Sequence, residues 1–373
     1  MADDDYTRER VVEALPVFGA SLTHFDVSVD AEMPLSFWTM ARIFDAAGVM
    51  GRLRELTLAT EGVFLNEQVA TALAAACPGV TRLCISGCPL FGAGFGSGLA
   101  VDRGALPALA DLDFRLVRGM FALWLEFGAL VAHRRLTSLR VSASEGLAHP
   151  GLVDAILGCA AFPATLDIGG LPVPTADTLR LLRDGRAAVE CVALELPPLT
   201  LSPTAVAALG PLPRLRRLRI EATSPPHPSR LRVRPWTGLP ALVNLSLCLR
   251  GTRAAFTRSR LPALTWLLRS LAESPCRATL RALSVGGSFY VGAAGAAPFG
   301  VLASFPVLAS LSVSVELQAA AEAGDALPVD PREGAAGAQA MPAIPRSCYT
   351  DVERELVALL PRVLVNLQWW HSC

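Results

Sequence analysis

The stretch Leu53–Leu58, LRELTL, puts apolar residues at its first, fourth and sixth positions, and Leu136–Val141, LTSLRV, repeats that spacing. The same frame opens at Leu22, Leu53, Val80, Leu109, Leu136, Pro163, Val189, Leu215, Leu242, Leu280 and Leu308, with a weaker copy, LVNLQW, at Leu364. Nine of the eleven steps between these starts lie between 26 and 31 residues, and the last, 56, is twice 28. A step of that size marks a stacked repeat in which each unit is one supersecondary element. Within the frame, alternation reads as a short strand that buries its apolar residues on one face. Between frames lie stretches with helical spacing: NEQVATALAAACPG from Asn66, HPGLVDAILGCAAF from His149, TADTLRLLRDG from Thr175 and SPTAVAALGP from Ser202. Their starts carry Asn, Ser, Thr or Pro, and Gly or Pro often follows their ends, as helix boundaries favour. Each unit is therefore expected to run strand, turn, helix, turn. One unit cannot bury both its strand leucines and its helix face, so units must stack.

The composition fits a folded chain with a large core. Of 373 residues 52% are hydrophobic and 18% charged, too apolar for disorder. The 33 basic residues are all arginine and balance 33 acidic ones, which removes the general electrostatic reason to expect nucleic acid or an anionic membrane. The N-terminus MADDDYTRERVVEALPVF lacks the basic, apolar, small-residue succession of a secretory signal, which points to an intracellular chain, cytoplasmic or nuclear. The most membrane-like run, GMFALWLEFGALVAH from Gly119, is too short to span a bilayer and contains Glu126, so it reads as a packed helix. Nine cysteines, scattered through apolar segments, read as reduced and mostly buried thiols.

These repeats resemble the leucine-rich repeat superfamily, in its ribonuclease-inhibitor-like and cysteine-containing, F-box-associated types. The best single unit is VTRLCISGC from Val80, with Cys88 at the ninth position, whereas the units from Leu53, Leu136 and Leu242 place Glu61, Ser144 and Arg250 there. The resemblance implies an α/β solenoid, a horseshoe with a curved parallel β-sheet on its concave face and helices on its convex face. The expected organisation is an N-terminal cap at 1–21 and a solenoid of about 12 units over 22–373. It includes a loop insertion at 318–346, rich in Ala, Gly and Pro, and a C-terminal cap at 349–373. Capped ends imply a soluble monomer.

Since the frame's apolar residues point inward, its third, fifth and seventh positions face the concave side. That rule selects Asp111, Asp113, Arg115, Arg140, Asp167, Glu195, Arg217, Arg219 and Glu221 as candidate partner-binding residues, followed by Asn244, Ser246, Ser284, Ser310, Ser312 and Ser314. Mixed acids and arginines suit a protein surface of complementary charge. A second candidate is the basic, proline-rich loop SPPHPSRLRVRPW, with Arg230, Arg232, Arg234 and Trp236, whose guanidinium groups could hold an acidic partner.

Catalytic chemistry finds no such pattern. The run GAGFGSG from Gly92 resembles a phosphate-cradling loop, but no Gly-Lys-Ser/Thr follows, and it reads as a flexible connection between units. Cys77, Cys84 and Cys88 lack the spacing of a zinc site, and the five histidines stand apart from any nucleophile or ligand pattern. The expectation is a non-catalytic interaction scaffold without cofactor or metal, gripping a protein partner on the concave face. The resemblance implies two narrower alternatives, a substrate-recognition subunit of an F-box-type ubiquitin ligase and a regulator of a small GTPase. No F-box is evident in this chain, since only 21 residues precede the first frame.

Overall fold

In ten of the twelve frames a strand begins two residues after the frame's first residue. The computed structural model describes residues 13–29, 37–100, 103–116, 122–143, 151–169, 171, 173–184, 191–196, 199–200, 208–209, 212–224, 236, 238–249, 260–288, 297–316 and 354–370. Its contacts divide the chain into two units, Met1–Pro198 and Leu199–Cys373.

Among its described residues the first unit holds seven strands: β1 (His24–Val29), β2 (Glu55–Leu65), β3 (Arg82–Phe91), β4 (Asp111–Leu116), β5 (Ser138–Ala143), β6 (Thr165–Asp167) and β7 (Ala193–Glu195). Each pairs in parallel with the next in chain order, and equivalent frame positions lie side by side, as in Leu56↔Leu83 and Leu112↔Leu139. The intervening helices are α1 (Phe37–Ala47), α2 (Glu67–Ala76), α3 (Phe95–Gly98), α4 (Ala122–Val131), α5 (Gly151–Leu157) and α6 (Thr175–Arg183), and each packs against the next. Asn66 caps α2 as its sequence suggests, its side chain accepting from the N–H groups of Gln68 and Val69 at 3.1 Å.

The second unit repeats the plan. A two-residue strand, β8 (Leu199–Thr200), pairs with β9 (Arg217–Ser224), which is followed in parallel by β10 (Asn244–Leu249), β11 (Ala282–Ser288), β12 (Ser310–Glu316) and β13 (Leu364–Trp370). Helix α7 (Arg260–Ala272) packs against the 3-10 stretch Ala297–Ser304. Both units are thus α/β ladders of parallel strands in sequence order, a solenoid-like arrangement.

One hydrogen-bond device holds the register. The carbonyl of the frame's second residue accepts two N–H bonds from the following unit: Thr23 O takes Arg54 N at 2.9 Å and Glu55 N at 3.2 Å, and Val243 O takes Arg281 N at 2.8 Å and Ala282 N at 3.1 Å. These bonds satisfy backbone groups at the start of each strand that water would otherwise have to reach. A fourth inward position, three residues ahead of the frame, is not captured by the six-residue spacing. Met50, Cys77, Leu106, Leu212 and Leu239 occupy it and are wholly buried. In each case the carbonyl receives the N–H of the frame's first residue, as Val80 N to Cys77 O at 3.2 Å.

Three sequence expectations need correction. The frame assigned from Val189 lies two residues later, because Leu166 registers with Leu194, which makes Cys191, Leu194 and Leu196 the inward set, at 1%, 3% and 1% exposure. A small buried thiol serves as the first apolar residue, and a shift of two leaves strand parity, and hence the outward side of Glu195, unchanged. At the last frame Leu364 registers with Ser310 and is 74% exposed, so it stands at the third position rather than the inward first. The glycine-rich run from Gly92 contains helix α3 rather than a loose connection. Gly94 N and Gly96 N donate to the two oxygens of the Glu126 carboxylate at 2.9 and 2.7 Å, which accounts for the acid inside the apolar helix α4. A Cβ on Gly96 would lie 1.7 Å from the Glu126 carbonyl oxygen, so no larger residue fits this contact.

The segment expected as an N-terminal cap contains a helix at 13–18 that buries Leu15, and that expected as a C-terminal cap contains one at 354–359 that buries Leu356. The insertion at 318–346 lies outside the described residues. No described helix is long and apolar enough to cross a membrane.

Candidate functional site

Parallel, in-register stacking places equivalent positions of successive strands about 4.8 Å apart, so a row of side chains crosses the sheet. In the first unit the fifth-position row reads Asp26, Thr57, Cys84, Asp113, Arg140, Asp167, Glu195. Its centre alternates in sign and closes into a network. Arg140 Nε donates to Asp167 Oδ2 at 2.9 Å, and Arg140 Nη1 reaches Asp113 Oδ2 at 3.4 Å. From the seventh frame position, on β4, Arg115 grips the same carboxylate with Nε at 3.0 to 3.1 Å and Nη2 at 2.7 Å. Gly169 N donates to Asp167 Oδ1 at 3.3 Å.

Four of the residues selected from sequence, Asp113, Arg115, Arg140 and Asp167, are therefore joined in one cluster of zero net charge. Asp113 lies at its centre, with a side chain only 7% exposed, covered by two guanidinium groups. Hydrogen bonding to Asp113 and its negative charge hold Arg115 still more firmly protonated. Beside them, the Cys84 thiol is raised above its ordinary range by burial first and by Asp113 second, so it is not the thiolate that a nucleophile requires.

Asp111, at the third frame position, opens β4 and lies half-buried, and Glu195 is half-buried on β7. In the second unit, Arg217 and Arg219 are exposed and Glu221 is half-buried, all on β9. Their cross-strand neighbours on β10 are Asn244, Ser246 and Cys248, so this face continues in small, uncharged side chains. Ser284, Ser312 and Ser314 extend it across β11 and β12.

The second candidate is altered by the structure. Arg230, Arg232 and Arg234 lie outside the described residues. Trp236, expected on a surface loop, is 1% exposed, and its indole N–H donates to Ser270 Oγ at 2.8 Å inside the second unit. A large ring beside α7 removes more apolar area from water than a loop surface could, and Ser270 satisfies its polar end.

Arg134 is the polar residue that the sequence does not single out. It is 2% exposed and donates to four backbone carbonyls: Leu130 O at 2.7 Å, Leu106 O at 2.9 Å, Ala105 O at 3.1 Å and Leu99 O. Burial pushes its pKa down to about 10, so it remains a cation at neutral pH. Its grip fixes the turn at Leu106, whose φ of 44° is sparsely populated for a leucine. No group of three or more His, Cys, Asp or Glu side chains among the described residues is arranged to hold a metal ion.

The balanced total charge conceals a division. Met1–Pro198 carries 15 arginines and 23 acidic residues, a net of −8, while Leu199–Cys373 carries 18 and 10, a net of +8. Compared with known protein families and with curated proteins, the chain matches none.

Proposed function

We propose that the chain is a leucine-rich repeat scaffold that binds a protein partner on the sheet face lined by the third, fifth and seventh frame positions, the concave face of such a horseshoe, and that it catalyses no reaction itself. The observation that carries this reading is the continuity of that face. From β1 to β6 and from β9 to β12, polar or small side chains stand in register, mostly half-buried or exposed, with Asp113 held beneath its arginines. A face of this kind offers many fixed polar contacts and little apolar surface, which suits recognition by complementarity of charge and shape.

The test adds neutral bulk to the face without removing any charge of the ionic cluster. Affinity capture from the native cell would compare the intact chain with Thr57→Tyr/Ser142→Tyr, which obstructs the first unit's face, and Ser246→Tyr/Ser284→Tyr, which obstructs the second's. Circular dichroism would first establish that both variants fold. Loss of the same protein from one variant alone is expected and would locate its contact. An unchanged set of captured proteins in both variants would sink the assignment of the face.

A further inference from the structure

We propose that the rim of the second unit where β9, β11 and β13 begin docks an acidic, extended segment of a protein. The proposal deepens the scaffold reading and rests on it, but its test uses residues outside the rows described above. Arg216 precedes β9 and Arg217 opens it, Arg277 and Arg281 precede β11, and Arg362 stands two residues ahead of Leu364, which opens β13; all five are exposed. The register sets Arg216 and Arg281 in one row across the strand starts, because Arg217, Asn244, Ala282, Ser310 and Leu364 are successive cross-strand partners, with Arg362 one residue beyond that row and Arg277 in the turn before β11. Between the arginine-bearing strands, Val243 precedes and Asn244 opens β10, and Ala309 precedes and Ser310 opens β12, all uncharged. The first unit's rim is different: Arg54 and Glu55 stand together, Arg82 neighbours Asp111, and Arg54 Nη1 is bound to Gly79 O at 2.8 Å.

Geometry and charge together choose the occupant. Alternate strands repeat at about 9.6 Å. A polyproline II segment laid across them rises about 3.1 Å per residue and returns a side chain to the same side every third residue, at about 9.3 Å. Acidic residues at every third position would therefore meet successive arginines, which can each take a carboxylate in bidentate fashion. The unit's net charge of +8 would draw such a segment in. A nucleic acid is the competing anionic occupant, and Trp236, the aromatic of the proline- and arginine-rich run, is buried and offers it no stacking platform.

The experiment measures fluorescence anisotropy on the full chain at low salt with three probes: a (Glu-Pro-Ala)4 peptide, a peptide of the same composition with its four glutamates in one block, and a twelve-residue oligothymidylate. The repeating peptide should bind saturably and more tightly than the other two. The triple variant Arg216→Ser/Arg281→Ser/Arg362→Ser should weaken that binding by about tenfold or more, since three exposed ionic contacts are removed. Circular dichroism is expected to be unchanged. The proposal is overturned by absence of saturable binding, by equal affinity in the triple variant, by equal affinity for the block peptide, or by preference for oligothymidylate. If it fails while Ser246→Tyr/Ser284→Tyr still loses a cellular partner, the scaffold reading stands and the rim is merely solvated. If neither holds, both readings fall.

Discussion

The two units share a strand plan and stabilise it with different chemistry. In the first, with a net charge of −8, arginines fasten polar groups: Arg134 holds four buried carbonyls and Arg115 and Arg140 cover the buried Asp113, while Arg180 bridges Asp154 and Asp177 at the surface. In the second, neutral side chains make buried or half-buried contacts. Trp236 meets Ser270, Ser274 Oγ lies 2.8 Å from Cys276 Sγ, and Thr279 Oγ1 donates to Leu242 O at 2.8 Å. The difference teaches that the leucine frame sets where strands lie but leaves open how polar groups beneath and upon them are satisfied. A charged fastener is costly to remove because it strands its partners, whereas a neutral one leaves a weaker deficit.

The sharpest way to break this comparison is Arg134→Met. It strands four buried carbonyl acceptors, and the expected loss is about 4 kcal/mol of stability, read as hydrogen exchange in β4 and β5 while β10 and β11 keep their protection. Arg135→Met is the control: the neighbouring side chain is exposed, and its loss should fall within about 0.5 kcal/mol. Equal effects of the two would show that the buried guanidinium contributes nothing beyond its packing.

The adjacent pair Arg134-Arg135 also shows where legibility ended. Sequence alternation located ten strand frames because a buried apolar position and its period survive in any context. It could not tell which of two consecutive arginines turns inward, since that depends on a turn at Leu106 that lies 28 residues away. It misplaced the frame at Val189 because Val189, Val192 and Leu194 fit the spacing as well as Cys191, Leu194 and Leu196 do. The ionic cluster was half legible. The rule of odd positions named Asp113, Arg115, Arg140 and Asp167, but the in-register stacking that joins them appears only with the sheet.

The second test is Arg115→Ala/Arg140→Ala, which uncovers the Asp113 carboxylate. Because both arginines are about half-exposed and water can partly replace them, we expect about 2 kcal/mol rather than the larger loss of a fully buried pair. Adding Asp113→Ala to the double variant should recover part of that loss by removing the stranded charge. Denaturant midpoints that show no recovery would mean that the arginines act through packing alone.

A pH profile tests the buried thiols, which burial raises in both units, Cys276 of the second included. Burial raises the thiols of Cys77 and Cys191, both in the first unit, from 9.0 to about 12. Above pH 9 the unfolded chain releases these protons while the folded chain retains them, so the stabilisation present below pH 9 is lost as pH rises toward 12. At pH 10 the expected cost is about 1 kcal/mol for each thiol. The Cys77→Ala/Cys191→Ala variant should show a flatter alkaline limb, even if its stability at neutral pH is lower. An unchanged slope would mean that these thiols are open to solvent.

The smallest expected effect tests the neutral side of the comparison. Trp236→Phe keeps most of the buried ring and deletes the N–H that meets Ser270 Oγ, while Ser270 still donates to Leu267 O at 2.8 Å. With the serine's proton still placed and only an acceptor lone pair lost, the cost should be about 0.5 to 1 kcal/mol, well below that of Arg134→Met. The same variant separates core from contact. Because the ring is 1% exposed, partner capture should be unchanged once the protein is folded. A variant with full stability that nonetheless loses its partner would return Trp236 to the surface role its proline- and arginine-rich setting first suggests.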